Sequence, residues 1–150
     1  MKRNTRLSAA LHALLHLANQ PDPITSETIS VWLQTNPVVV RRTMAGLREA
    51  GLVVSEKGHG GGWRLACDPA KVTLRDVYAA LGEPALFLLE SDEPASGCLV
   101  EIAISNVLSD AYREAQAILV ARLDNVTLAE LSANLPGTHF HAHIEKRTTP

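Results

Sequence analysis

The sequence predicts a mainly α-helical fold carrying one small β-hairpin and a long C-terminal helix. Three observations lead there. Hydrophobic residues make up 46% of the 150 positions and aromatic residues only 4%, so the core must be built of Leu, Val, Ile and Ala, which suits packed helices better than a sandwich. Those residues recur at helical spacing in segments separated by prolines, glycines and capping residues. The stretch 36–66, NPVVVRRTMAGLREAGLVVSEKGHGGGWRLA, departs from that pattern, because its second half holds two short apolar runs around a glycine-rich tip.

Taken in order, Leu7, Leu11, Leu14, Leu15 and Ala18 predict a first helix over residues 6–19, which Pro21 and Pro23 end. Thr25 or Ser26 caps a short second helix through Leu33, with Ile29 and Leu33 facing inward. A turn at Thr35 and Asn36 follows. Asn36 as cap with Pro37 at the first helical position starts a third helix. Its inward stripe is Val40, Met44 and Leu47, leaving Val38, Val39, Arg41, Arg42 and Arg48 wholly or partly on other faces. Gly51 closes it. Residues 52–55 and 63–66 read as strands, and the tip between them contains Gly58, Gly60, Gly61 and Gly62, whose backbone freedom allows close approach to another surface. Thr73 caps a fourth helix through Leu81, with Val77, Tyr78 and Leu81 apolar.

From residue 98 to 123 a longer helical pattern runs, with Val100, Ala103, Val107, Ala111 and Ala115 on one face. Ile104, Leu108 and Tyr112 widen the apolar arc beyond a single packing surface, so this helix is expected to bury against its own domain and against a partner. Thr127 caps a last short helix through Leu135, and Pro136-Gly137 opens a polar tail expected to be disordered. The expected organisation is a domain over residues 1–82, a sensor-region loop over 83–97, a dimerisation helix with a short terminal helix over 98–135, and the tail over 136–150.

The net charge of −2 hides an asymmetry. Residues 1–66 carry eight basic and four acidic side chains, a net of +4, whereas residues 67–150 carry six basic and twelve acidic ones, a net of −6. A basic half points to a polyanion as partner. A helix with adjacent arginines, followed at once by a basic hairpin, describes a winged helix-turn-helix, and hence a reader of double-stranded DNA. The candidate DNA-binding residues are Ser26 and Thr28 near the start of the second helix, Val38, Val39, Arg41, Arg42 and Arg48 on the third, and Lys57, His59 and Arg64 in the hairpin. Arginines can neutralise phosphates or contact guanine edges, valines can touch thymine methyls, and a cation at a flexible tip can grip phosphate or enter a minor groove. Ser26 reads equally well as a helix cap, and Trp63 reads as a core anchor beneath the hairpin. No nucleophile elbow, phosphate loop, metalloprotease pair or dinucleotide fingerprint is present, so no catalytic residue is assigned. No apolar run approaches the length of a membrane span. His12 and His16 interrupt the N-terminal apolar stretch, which argues against a secretory leader, and the expected location is the cytoplasm.

These residues together resemble the BadM/Rrf-type family of bacterial winged-helix regulators. The resemblance rests on LHALLHLA at 11–18, LREAGLVVSEKGHGGGWRLACDP at 47–69, VTLRDVYAALG at 72–82, CLVEIA at 98–103 and NVTLAEL at 125–131. It implies a homodimer in which the long helices pair and two winged domains bind a roughly palindromic operator, and the expected function is that of a repressor responding to a redox or small-molecule signal. Some relatives hold an iron–sulfur cluster on three cysteines, the last of them about where Cys98 stands. Here the preceding stretch LFLLESDEPASG has none, so cluster sensing is not carried over, and no cofactor and no metal site is expected. The alternative reading is a cluster- or metal-binding redox sensor that uses His12, on the first helix where some relatives supply a ligand, together with Cys98.

Cys98 stands where a helix is expected to begin. It is a candidate oxidant sensor there if its pKa is lowered, or else a small buried apolar residue. Cys67 reads as structural. His12 and His16 sit one helical turn apart and read as surface residues, and His139, His141 and His143 alternate in the tail.

Overall fold

The computed structural model describes residues 5–86 and 97–135. Its elements, in chain order, are α1 (Thr5–Ala18), α2 (Ser26–Leu33), α3 (Pro37–Glu49), β1 (Val53–Glu56), β2 (Gly62–Leu65), α4 (Leu74–Ala80), α5 (Leu99–Leu123) and α6 (Leu128–Ala133). The histidine-bearing tail, its expected disorder, and most of the expected sensor loop lie outside the described residues.

Local chemistry sets each boundary. Thr25 caps α2 by accepting from the Thr28 amide, and Asn36 caps α3 by accepting from the Val39 amide, with Pro37 just inside. At the far end of α3, Gly51 at φ 77° donates to the Arg48 carbonyl while Leu52 donates to Leu47. That paired closure is the Schellman arrangement, which needs a left-handed residue. The α2–α3 turn closes in the same way without a glycine: Gln34 sits at φ 52°, and the Thr35 amide donates to the Ser30 carbonyl. The side chain gave no sign of this conformation. Reciprocal capping boxes open both α4, through Thr73 and Asp76, and α6, through Thr127 and Glu130. The two helix starts lie side by side, with the Leu74 amide donating to Val126 and the Leu128 amide to Val72.

The core draws on the first six elements and α6, with Leu14, Ile29, Val40, Met44, Leu47, Val77, Tyr78 and Leu128 all but sealed. The inward line of α1 differs from the expected stripe. Leu7, Ala10, Ala13, Leu14 and Leu17 are buried, Leu11 and Leu15 are half-buried, and Ala18 is exposed. The reason is that α1 is central and packs against α2, α3, β2, α4 and α6, so no single narrow stripe describes it. His16 corrects a second expectation. It is buried, its ring stacked on Trp32 of α2 with centroids 4.3 Å apart, while His12 stays at the surface.

The hairpin pairs β1 and β2 antiparallel, with Val53 opposite Leu65 and Glu56 opposite Gly62. A third segment extends it, since Ile24 and Trp63 exchange both main-chain hydrogen bonds, at 2.9 and 2.8 Å. Gly62 lies at this junction with φ 151°, and a Cβ there would meet the Ile24 carbonyl oxygen at 2.5 Å. Gly62→Ala is therefore expected to part the hairpin from Ile24 and cost on the order of 2–3 kcal/mol of stability, read as a lower urea midpoint.

Candidate nucleic-acid interface

Val40, Met44 and Leu47 turn into the core, so α3 presents Val38, Val39, Arg41, Arg42 and Arg48 outward. Val38 is the barest of these apolar residues, at 60% exposed. Val39 is turned partly toward α1, where it lines a cavity with Arg6, Ser8 and Gln34. The arginines are not equivalent. Arg41 pairs with Glu27 of α2 across an exposed contact, whereas Arg42 is exposed and has no ion-pair partner among the described residues. An exposed pair of the Arg41 kind contributes about 0–1 kcal/mol, so phosphate can replace Glu27 at small cost. Arg48, in the last turn, places its guanidinium carbon 5.9 Å from the centroid of Trp63. This contact is worth about 0.5–1 kcal/mol and holds Arg48 toward the hairpin.

In the hairpin, Lys57 and His59 are exposed at the tip. Arg64 is engaged at the base: its Nε lies 3.0 Å from Glu56 in an ionic contact outside good hydrogen-bond alignment, and a terminal nitrogen donates to the Pro21 carbonyl at 3.2 Å. The chain thus brings Val38, Arg41 and Arg42 together on one helix and gives the tip two further basic residues, while Arg64 braces the wing.

Ser26 is corrected. It is 7% exposed, Thr25 and not Ser26 caps α2, and the Ser26 hydroxyl accepts the Trp63 indole N–H at 2.9 Å. Its role is to satisfy a buried donor. Thr28, half-buried, shares a hydroxyl contact with Thr25 at 3.0 Å. The features that sequence reasoning missed are long-range: Glu27 as the partner of Arg41, and the carbonyl of Pro21 as the partner of Arg64.

A basic recognition helix beside a glycine-tipped wing is the architecture of a DNA reader, and comparison with known proteins agrees. Residues 3–134 match the Rrf2 family, described as "Iron-dependent Transcriptional regulator". The chain belongs to the Rrf2 family. It is 31% identical over 132 residues to the HTH-type transcriptional regulator YwnA of Bacillus subtilis, covering 88% of this chain and 98% of the relative. With YwgB of the same organism it is 34% identical, covering 71% and 74%. Its fold is like that of a transcriptional regulator from Lactobacillus plantarum, with a TM-score of 0.69 at 24% identity over 96% of this chain and 98% of that one. This Rrf2 protein is accordingly a DNA-binding transcriptional regulator and not an enzyme. No described helix is long and apolar enough to cross a membrane.

Among the described residues of this chain, no set of donors for the iron named in the family description is assembled. The sequence holds two cysteines, Cys67 behind the wing and Cys98 at the start of α5, and no group of three His, Cys, Asp or Glu among the described residues is placed to hold a metal. Clusters are held by several thiolates, and a single one at Cys98 does not supply them.

The two thiols differ in kind. Cys98 is exposed, which sets aside the buried reading, and the backbone amides of Glu101 and then Val100 lower its pKa. Burial first, and then the nearby Asp68, raise the Cys67 pKa against a backbone hydrogen bond that lowers it. The nucleophile is the thiolate, so alkylation at pH 7 is expected to modify Cys98 on the order of tenfold faster than Cys67, as read by peptide mass mapping. As pH falls, Cys98 reactivity should persist below the point at which Cys67 becomes inert.

Proposed function

We propose that the protein acts as a homodimeric repressor of a roughly palindromic operator. In this reading α5 joins two copies, and Arg42, Arg41 and Val38 of each enter successive major grooves while Lys57 and His59 hold flanking backbone. The observation that carries it is α5 itself. This 25-residue helix has no buried residue, and Leu99, Val107 and Ile118 stand 82%, 69% and 73% exposed. Apolar surface of that extent on one helix is stabilised by a second copy of the same face. Recognition helices about 34–36 Å apart on one side of a duplex then match consecutive turns. A signal reaching α5 would change that separation, and Cys98, at its exposed start, is the candidate redox input. The cytoplasm is the compartment that suits a regulator of this kind.

Selection of bound duplexes from a random pool supplies the test sequence. Arg42→Ala is expected to weaken binding to that sequence by about 1–3 kcal/mol and relax preference at one base position, whereas Lys57→Ala should weaken all sequences alike and reduce the salt slope by about one. Indifference of binding to both substitutions and to salt would sink the reading.

Assembly has its own test. The unaltered chain is expected to sediment at twice 16.2 kDa. Val107→Glu should sediment as a single chain with its helical content intact, because Val107 touches solvent and not the core of its own chain.

A further inference from the structure

On α1, the Nε2 atoms of His12 and His16 face each other at 3.0 Å. Their ring centroids are 4.8 Å apart with planes tilted by 30°, so the two nitrogens converge while the rings lie alongside one another. At that separation one ring must donate and the other accept, and the tautomers are complementary. Divalent ions bind imidazole nitrogen at about 2.0–2.1 Å. Two such bonds to nitrogens 3.0 Å apart enclose an angle of roughly 94°, close to the right angle that tetragonal copper(II) and nickel(II) prefer. We infer that His12 and His16 form a two-nitrogen chelate for a first-row divalent transition-metal ion.

The surroundings suit an ion that keeps water in its remaining positions. His12 is exposed and lines a cavity of about 480 Å³ together with Arg6, Ser8, Gln34 and Thr43, whose polar groups can receive those waters. The His16 ring is stacked on Trp32 of α2, which restrains its orientation. When the ion binds, the donor ring moves its proton from Nε2 to Nδ1, both Nε2 lone pairs coordinate, and no proton need be lost. The site lies on α1, away from the arginines of α3, and the inference does not rest on how the protein reads DNA.

The experiment is a nickel(II) titration of the full chain followed by tryptophan fluorescence, because Trp32 lies 4.3 Å from the His16 ring. Cys98 and the three tail histidines are competing ligands, so the titration uses C98S combined with H139A, H141A and H143A. One equivalent of nickel is expected to quench the fluorescence saturably. Adding His12→Gln, at a surface position that leaves the core intact, should weaken binding roughly a hundredfold by removing one arm of the chelate. Quenching that is absent, or that survives His12→Gln unchanged, overturns the site. Selected-duplex binding by the His12→Gln protein without metal serves as the control for folding and for DNA reading, and is expected to equal that of the unaltered chain.

Discussion

The indole of Trp63 joins three parts of the chain that are distant in sequence. Its ring is buried under the hairpin, its N–H donates to Ser26 at the start of α2, its main chain pairs with Ile24, and Arg48 of α3 lies over its face. A wing reads DNA only if its tip is held at a set position relative to the recognition helix, and two short strands cannot do this alone. The hydrogen bond to Ser26 matters because a buried indole donor left unpaired costs about 1–3 kcal/mol. Gly62 is the steric condition for the same junction, since only a residue without Cβ lets β2 approach Ile24 this closely.

From that anchor the electrostatics of the reading face follow. Arg41 and Arg64 spend their charge on Glu27, Glu56 and a carbonyl, whereas Arg42 and the tip residues Lys57 and His59 are turned to solvent. A counting of basic residues along the sequence therefore overstates the charge presented to phosphate. The neutralised arginines contribute differently: Arg64 braces the wing, and the exposed Arg41–Glu27 pair is one that salt weakens further.

Much of this was legible in the chain. Asn36-Pro37, Thr73 and Thr127 announced helix starts because capping is a local reaction between neighbours, and the structure has each of them. The wide apolar arc of α5 was legible for the same reason, since periodicity is local. What escaped was long-range or conformational. Ser26 gains its partner 37 residues away, His16 gains Trp32 only when α1 and α2 pack, and Gln34 adopts a left-handed backbone with no glycine to signal it. Residues with two plausible uses in sequence were decided by tertiary neighbours.

Leu128 lies beyond α5 yet is 1% exposed, in the same core as Val77 and Tyr78. The chain leaves the head domain, runs the length of α5, and returns to complete the packing it began. Excising everything after residue 86 would open a void beneath α4 and remove the Val72–Leu128 hydrogen bond. Loss of the α6 contacts is therefore expected to destabilise the domain that carries α3 and the wing, which links the C-terminal end of α5 to the folding equilibrium of that domain.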